Sequence, residues 1–308
     1  MIPLRRKRII PPFQKFGYES LEEFNNHTIL DPELFSSPGK GRGNNDDLNK
    51  QREEFLTKIL DIPDAALHPY YRELKQKWRA CLSTVCSSEF DKIKITKKAG
   101  RGHNHDFSIQ FFLKEVHVRT QDVEFKHNAR SIEKLPQFLS LYEKQLGYVP
   151  YYYHNYLRKY LATDLGITEP IPDEATYTSK VYSSDYSCHP FFQQLYDRDD
   201  IQHAAKVAVV NESISEFLNA RASSLDTEWL TGEFSRTQKD KKYILWDLNS
   251  FHVQELPTVG TLQYAGINKK KNTILVNGDS AQYSLLLRWR NHKGVLLPAW
   301  QISLKVLI

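Results

Sequence analysis

HDFSIQFFLKEVHVRTQDVEFKHN, which runs from His105 to Asn128, contains two strand-like runs and is the stretch that decides the fold. Side chains on a β-strand alternate between the two faces of the sheet. The second run therefore places polar residues on one face and apolar residues on the other: Asp122, Glu124 and Lys126 against Val123 and Phe125. Burial of the apolar face would hold the strand down and leave two carboxylates and an ammonium together in a cleft.

The three charged side chains on that face suit one kind of chemistry. Two carboxylates can hold Mg²⁺, which prefers hard oxygen ligands and keeps several waters that substrate oxygens can replace. A neighbouring ammonium can orient an attacking water or neutralise negative charge that builds on a phosphate. The pattern therefore indicates metal-assisted hydrolysis of a phosphodiester. The alternative is a solvated strand, since exposed strands often alternate Glu with Lys.

A family resemblance rests on the acids and the lysine of these two runs. Asp106 opens the first run, and an acid-x-lysine triplet, Glu124 to Lys126, begins eighteen residues later. This arrangement resembles the PD-(D/E)xK nuclease superfamily, which includes most type II restriction endonucleases and many repair and viral nucleases. The resemblance covers about residues 48–147 and departs from the motif where His105 replaces its proline. It implies that Asp106 and Glu124 bind Mg²⁺, with Mn²⁺ as a substitute, and that Lys126 is the catalytic lysine.

The same resemblance implies residues that support the metal site. In this superfamily a helix ahead of the first core strand often lends an extra acid, and Glu54 and Glu73 are the candidates. Each of them can equally be a solvated helix residue. Asp122 and Asn128 are expected to lie just behind the metal ligands.

The order of predicted elements agrees with the core of that superfamily. Hydrophobic periodicity and turn residues predict helices from Asp46 and over 69–85, strands over 90–97 and 105–113, the strand that carries Lys126, and a helix over 132–147. The predicted fold is α/β, with a restriction-endonuclease-like core (a mixed sheet flanked by helices) and a β-rich C-terminal region.

Composition shifts divide the chain into three predicted parts. Residues 1–47 form an arm and a loop rich in Gly, Pro, Ser and Asn, and residues 48–190 form the nuclease core. Residues 191–308 are helical to about Leu218 and β-rich from Lys241. The basic run Arg5 to Arg8 in the arm could embrace DNA or serve as a nuclear-targeting signal, and the Gly-rich loop could be a flexible connector.

Composition narrows the class of protein. The 308 residues are 40% hydrophobic and 26% charged, which is a globular profile. No apolar run approaches the roughly 20 residues that span a bilayer, and the N-terminus lacks the apolar stretch of a secretory signal. We therefore expect a soluble intracellular protein, cytoplasmic if bacterial, with no membrane partner. The three cysteines form no CxxC pair, so the sequence supports neither a disulfide framework nor a four-thiolate metal site.

The charge distribution favours an anionic partner. The net charge is +5 and the pI is near 8.8, and basic clusters flank the candidate metal site. The residues predicted to contact double-stranded DNA are Lys97, Lys98, Arg101, Lys269, Lys270, Lys271, Arg288, Arg290, Asn291 and Lys293. Taken one at a time, each of them is also compatible with an ordinary solvated surface.

The sequence thus predicts a Mg²⁺-dependent endonuclease that cuts double-stranded DNA, of the type II restriction kind. By analogy with that class, we expect a homodimer on a palindromic site and a cognate methyltransferase for the same site. The rival hypotheses are a structure-specific repair, recombination or viral nuclease, a non-catalytic DNA-binding protein, and an RNA-cutting or RNA-binding protein.

Overall fold

The structure of the chain is a computed structural model. It describes residues 33–37, 42–98, 103, 105–134, 136–138, 151, 153–155, 158–159, 170–176, 203–256, 258–292 and 295–306. The chain divides into two compact units: Met1–Ile132 with Asp240–Glu255, and Glu133–Lys239 with Leu256–Ile308. This division differs from the predicted boundaries after residues 47 and 190, because two strands of the C-terminal part belong to the first sheet.

Both units combine α-helices with a β-sheet. The helices are α1 (Glu33–Ser36), α2 (Arg42–Lys58), α3 (Pro69–Val85), α4 (His203–Arg221) and α5 (Thr227–Gln238). The strands are β1 (Lys92–Lys97), β2 (Phe107–Leu113), β3 (Val116–His127), β4 (Pro136–Phe138), β5 (Lys241–Trp246), β6 (Phe251–Glu255), β7 (Gln263–Asn268), β8 (Thr273–Asn277), β9 (Ala281–His292) and β10 (Val295–Val306). None of the described helices combines the length and apolar character that a membrane crossing requires.

The first unit is built on a mixed five-stranded sheet in the order β1-β2-β3-β5-β6. Strands β3 and β5 run parallel, whereas β1 with β2, β2 with β3, and β5 with β6 are antiparallel. A two-residue turn joins β2 to β3 at Lys114 and Glu115, whose φ angles of 50° and 65° have the positive sign of a type I′ hairpin turn. The predicted α/β class with a mixed sheet is confirmed.

An apolar core fixes which face of β3 carries the charges. Val123 and Phe125 are 0% and 4% exposed, as the alternation predicts. They join a cluster with buried residues of β2, β5 and α3, and the rings of Trp78 and Phe107 lie 6.3 Å apart in it. Burial of one large apolar side chain contributes about 1.5–3 kcal/mol. Burial of these side chains therefore places Asp122, Glu124 and Lys126 on the opposite face of β3.

Helix α3 forms over the predicted residues 69–85. His68 caps it, since the Nδ1 atom of His68 accepts the backbone N–H of Tyr70 at 3.3 Å. Pro69 follows in the first turn, where its missing N–H costs nothing. Tyr71, Leu74, Trp78, Cys81, Leu82 and Val85 then recur at helical spacing and are buried.

Helix α1 is tied to the rest of the first unit through backbone carbonyls. The buried guanidinium of Arg52 on α2 donates from Nε to the carbonyl of Leu34 at 2.6 Å and from a terminal nitrogen to Asn49 Oδ1 at 2.8 Å. The indole N–H of Trp246 on β5 donates to the carbonyl of Phe35 at 2.8 Å. These bonds join α1 to both α2 and the sheet.

The helix predicted after the Lys126 strand is wrong where the structure describes that segment. Ile132–Lys134 form one 3₁₀ turn, and Pro136–Phe138 form β4. Strand β4 pairs with Gln301–Ser303 of β10. Pro136 lacks an N–H and disfavours helical geometry in the residue before it. The segment therefore forms a strand and not a helix. The rest of the predicted helix lies outside the described residues.

The second unit contains an antiparallel sheet in the order β4-β10-β9-β8-β7. The predicted β-rich character from Lys241 onward is confirmed, although β5 and β6 belong to the first sheet. The tight turn between β8 and β9 needs glycine, because a Cβ on Gly278 would lie 2.3 Å from the carbonyl oxygen of Val259. The helix predicted to end near Leu218 appears as α4, and residues 190–202 lie outside the described residues.

Candidate active site

The ladder between β2 and β3 places Asp106 beside Glu124. Phe107, the first residue of β2, pairs with Val123 on β3, and Asp106 directly precedes it. The backbone N–H of Asp106 donates to the carbonyl of Val123 at 3.0 Å. The N–H of Phe125 donates to Asp106 Oδ2 at 2.8 Å. Backbone bonds to β3 thus fix both the main chain and the carboxylate of Asp106.

Glu124 and Lys126 lie next to each other on the charged face of β3. The Nζ atom of Lys126 is 2.5 Å from Glu124 Oε1, and the side chains are 29% and 15% exposed. Asp122 lies two residues before Glu124 and is half-buried. The structure therefore brings together Asp106, Glu124 and Lys126, the three residues that the sequence assigned to catalysis.

A third carboxylate reaches the group from α2. Glu53 is 9% exposed, and its Oε2 lies 3.1 Å from the Nζ of Lys97 on β1. The charges of Asp106 and Lys126 interact with it. The sequence could have indicated Glu53. It lies three residues before the buried Leu56 and therefore shares the apolar face of the helix.

The two helix acids singled out from the sequence lie elsewhere. Glu54, the neighbour of Glu53, forms an ion pair with Lys58 at 2.8 Å. Glu73 is exposed on α3 and pairs with Lys77 at 2.7 Å. The structure does not bring Glu73 to the group around Asp106. Among the acids of α2 and α3, Glu53 is the one whose charge interacts with Asp106.

A second lysine enters the group from β5. The parallel register places Lys241 opposite Asp122, and Tyr243 opposite Glu124. Lys241 Nζ lies 3.6 Å from Glu124 Oε2, and its side chain is 5% exposed. The ammonium also lies 5.2 Å from the centre of the Tyr243 ring. Sequence reasoning missed this lysine because nothing local reveals that β5 pairs with β3.

The electrostatics of the group differ between its acids. Burial, followed by the charge of Glu124, raises the pKa of Asp106 to about 7. Burial acts to raise the pKa of Glu124 as well, but the ammonium groups of Lys126 and Lys241 outweigh it and hold that pKa below its usual value. Burial raises the pKa of Glu53. The carboxylates of Asp106, Glu124 and Glu53 thus repel one another. Each of them contacts an ammonium group or accepts a backbone N–H.

The other predicted supporting residues flank this group. His105 Nε2 lies 3.3 Å from Asp122 Oδ1, and the rings of His103 and His105 are 5.7 Å apart. Burial lowers the pKa of His105. Asn128 is exposed at the end of β3, with a φ of 53° that marks the end of the strand. Asp122 is therefore engaged by a histidine, and Asn128 terminates the strand.

Two of the predicted DNA contacts lie near the site, and each makes a hydrogen bond within the fold. Lys97 Nζ donates to the carbonyl of Lys50 at 2.9 Å in addition to its ion pair with Glu53. The backbone N–H of Lys98 donates to the carbonyl of Asp106 at 2.8 Å. Arg101 lies outside the described residues.

The remaining predicted DNA contacts belong to the second unit. Lys269, Lys270 and Lys271 are exposed in the turn between β7 and β8. The main chain of Arg288, Arg290 and Asn291 lies in β9, opposite Ala299, Leu297 and Leu296 of β10. The positions of their side chains, and the whole of Lys293, lie outside the described residues.

The donor set fits a hard divalent cation. Asp106 and Glu124 offer carboxylate oxygens from neighbouring strands, and Mg²⁺ needs only one or two protein carboxylates because water and phosphate complete its coordination. Burial, followed by the nearby charge of Glu124, raises the pKa of Asp106, and a bound cation would offset both effects. Within the described part of the chain, no group of three or more His, Cys, Asp or Glu gathers in a metal-binding arrangement, so the fit rests on this pair.

No protein-family model, curated protein or solved structure matches this chain. The resemblance to PD-(D/E)xK nucleases therefore rests on the residues that carry it. Their geometry is a carboxylate directly before β2 that is bonded to β3, next to a carboxylate and an ammonium in contact on β3.

Proposed function

We propose that this protein is a Mg²⁺-dependent endonuclease that hydrolyses phosphodiester bonds of double-stranded DNA, with a restriction-endonuclease-like core. One observation carries the proposal: backbone hydrogen bonds hold Asp106 against β3 on either side of Glu124, and Lys126 contacts Glu124 on the same face of β3. A buried sheet core fixes this arrangement from the opposite side. Half-buried charges assembled by rigid strands are typical of catalytic sites.

Asp106 and Glu124 would hold the metal, and Glu53 is the nearby third acid. When bound, Mg²⁺ would polarise a phosphoryl oxygen and lower the pKa of a coordinated water. The N–H of Phe125 keeps Asp106 Oδ2 oriented, which fixes one ligand before the substrate arrives. The ion pairs of Glu124 keep that carboxylate charged.

Lys126 would act on the reacting phosphate and the attacking water. Burial lowers the pKa of Lys126, but the charges of Glu124 and Asp106 outweigh it and raise the pKa above its usual value. The side chain is therefore an ammonium at neutral pH. It can neutralise charge that develops on the phosphate and hold the water for attack, without serving as a neutral base.

The choice of DNA as substrate follows from charge and from the resemblance. The net charge of +5 favours a polyanion, and the exposed Lys269–Lys271 turn offers three ammonium groups for phosphates. A type II restriction role brings with it a homodimer on a palindromic site and a methyltransferase that protects the same site. A structure-specific repair, recombination or viral nuclease would use the same chemistry.

A non-catalytic DNA-binding protein is the second candidate, and one observation favours it. Glu124 is engaged by Lys126 and Lys241, and Glu53 by Lys97. Such a network can serve to bury charges in a stable fold without any metal. The two candidates differ in whether the DNA is shortened.

The test is incubation of the purified chain with unmethylated phage DNA in Mg²⁺ and in EDTA. Discrete bands that form only with Mg²⁺ indicate a sequence-specific endonuclease, whereas smears or cuts at junctions indicate a structure-specific one. If the protein binds DNA in EDTA and never shortens it in Mg²⁺, the enzyme proposal is overturned in favour of a binding protein. Competition with RNA identifies a preference for that polymer.

A further inference from the structure

Glu124 differs from the other acids of the site because two lysine ammonium groups lie next to its carboxylate. Lys126 Nζ lies 2.5 Å from Oε1, and Lys241 Nζ lies 3.6 Å from Oε2. Glu53 pairs with Lys97, and Asp106 accepts the N–H of Phe125. The carboxylate of Glu124 is therefore held at both oxygens, by lysines from two different strands.

The two lysines are not equivalent in their attachment. Lys126 is two residues from Glu124 on the same strand, so both side chains leave the same face of β3 and meet closely. Lys241 reaches Glu124 from the parallel strand β5, where it pairs with Asp122. Its ammonium lies over the Tyr243 ring and is 5% exposed. Lys241 is thus enclosed, while Lys126 is 29% exposed and closer to solvent.

This difference matters because the proposed role of Lys126 takes it away from Glu124. An ammonium that engages the scissile phosphate or the attacking water must loosen its contact with a carboxylate. A half-buried carboxylate left without a cation is strongly destabilised. A second, enclosed ammonium beside Oε2 keeps the carboxylate of Glu124 paired when Lys126 moves away.

We propose that Lys241 is a positioning residue of this site: it holds Glu124 as a charged, oriented ligand while Lys126 turns to the substrate. The inference rests on the proposed nuclease function and assigns to it a residue outside the acid-x-lysine motif. Lys241 acts through Glu124 and touches neither the phosphate nor the water. Its contribution therefore belongs to the catalytic step and to metal binding more than to DNA affinity.

The neighbouring residue on β5 provides a matched control. Lys242 alternates to the other face of the strand and pairs with Glu255 at 2.8 Å. Lys242→Met removes the same charge from the same strand without touching Glu124. Lys241→Met and Lys242→Met therefore differ in one respect, namely contact with the site.

The test compares steady-state cleavage of a DNA duplex by the full chain and its variants across a Mg²⁺ titration. We expect Lys241→Met to lower kcat about 10- to 100-fold and to raise the Mg²⁺ concentration for half-maximal rate, with KM for DNA changed less than about twofold. Lys241→Arg should recover most of kcat, because it keeps a cation near Oε2. Lys242→Met should behave as wild type. Wild-type kcat in Lys241→Met, or an equal loss in Lys242→Met, overturns the inference.

A second measurement covers the case in which Lys241→Met folds but is too unstable for the cleavage comparison. Urea unfolding of wild type, Glu124→Gln, Lys241→Met and the double variant gives the coupling between the two residues. We expect the double variant to be more stable than Lys241→Met, with a coupling of at least about tenfold in the unfolding equilibrium constant. A double variant that is no more stable than Lys241→Met, or a coupling no larger than that of Lys242→Met with Glu124→Gln, contradicts the inference.

The outcomes separate the inference from the function on which it rests. No cleavage by the wild-type chain overturns the nuclease proposal and, with it, a catalytic role for Lys241. Cleavage by wild type that survives intact in Lys241→Met overturns the inference alone. Loss in Lys241→Met with recovery in Lys241→Arg and retention in Lys242→Met supports both.

Discussion

The carboxylate of Asp106 accepts the backbone N–H of Phe125 at 2.8 Å, so the first acid of the site is bound to the strand that carries the other two charged groups. The bond joins the residue directly before β2 to β3 beside Glu124. Orientation of Asp106 is thus a property of the sheet and does not depend on a flexible loop. This relationship allows the charge of Asp106 to be separated from its structural role.

Asp106→Asn keeps an oxygen that can accept the N–H of Phe125 but removes the charge. We expect Mg²⁺-dependent cleavage to fall at least about 100-fold, because a metal ligand is lost, while the free energy of unfolding stays within about 1 kcal/mol of wild type. Cleavage assays and urea unfolding measure the two quantities. Asp91→Asn is the control, since Asp91 also accepts a backbone N–H, that of Lys114 at 2.8 Å, at an exposed turn. A large loss of stability in Asp106→Asn would count against this separation.

Glu53 and Glu54 form a pair of neighbouring acids on α2 with different surroundings. Glu53→Gln is expected to lower cleavage about 10- to 100-fold and to raise the Mg²⁺ requirement, because Glu53 adds negative charge beside Asp106. Glu54→Gln removes only an ion pair with Lys58 and should leave cleavage unchanged. A Mg²⁺ titration of the rate compares them. Equal effects of the two substitutions would mean that Glu53 has no special place at the site.

Arg52 is expected to determine stability without affecting chemistry directly. Arg52→Met leaves the carbonyl of Leu34 without its buried donor, which costs about 1–3 kcal/mol in the free energy of unfolding. Arg72→Met, on the exposed side of α3, should cost less than about 0.5 kcal/mol. Urea unfolding at pH 7 gives both values. Similar stabilities of the two variants would show that the attachment of α1 through Arg52 is unimportant.

His127 gives the fold a pH dependence of stated sign. Burial, together with the charge of Arg52, lowers the pKa of His127 to about 4, against about 6.5 in an unfolded chain. The unfolded state therefore binds the proton more readily, so the contribution of His127 to stability is full above about pH 6.5 and declines as the pH falls toward 4. Wild type should lose about 1–3 kcal/mol more than His127→Gln between pH 7 and pH 4.

Urea unfolding at several pH values tests this prediction. His117→Gln, at an exposed position of the β2–β3 hairpin, should keep the wild-type dependence on pH. If His127→Gln loses as much stability as wild type on acidification, the decline has another origin.

Local patterns predicted much of the first unit. Alternation around Val123 and Phe125 correctly separated a buried face from a charged one, because the period of a strand is fixed by its backbone geometry. The apolar spacing from Tyr71 to Val85 correctly predicted α3. The β-strand runs after Lys241 were also predicted, since hydrophobic alternation and turn residues mark them.

Non-local pairing is what the sequence did not reveal. Lys241 lies more than a hundred residues after Glu124, and a strand pattern does not specify its partner strand, so the parallel pairing of β3 and β5 could not be predicted. Within the described residues, the helix expected after β3 is wrong for the same reason, because Pro136–Phe138 pair with the distant strand β10. Glu53 was missed by one position, although its spacing from Leu56 places it on the buried face of α2.

The most direct test of the active site is single-turnover cleavage of a DNA duplex in Mg²⁺ by wild type, Glu124→Gln, Lys126→Met and the control Lys242→Met. We expect wild type and the control to cut at equal rates and to stop in EDTA. Both site variants should lose at least about 100-fold in rate while still binding DNA. Cutting that survives both substitutions, or a wild-type chain that binds DNA and never cuts it, would contradict the assignment of Asp106, Glu124 and Lys126 as a nuclease site.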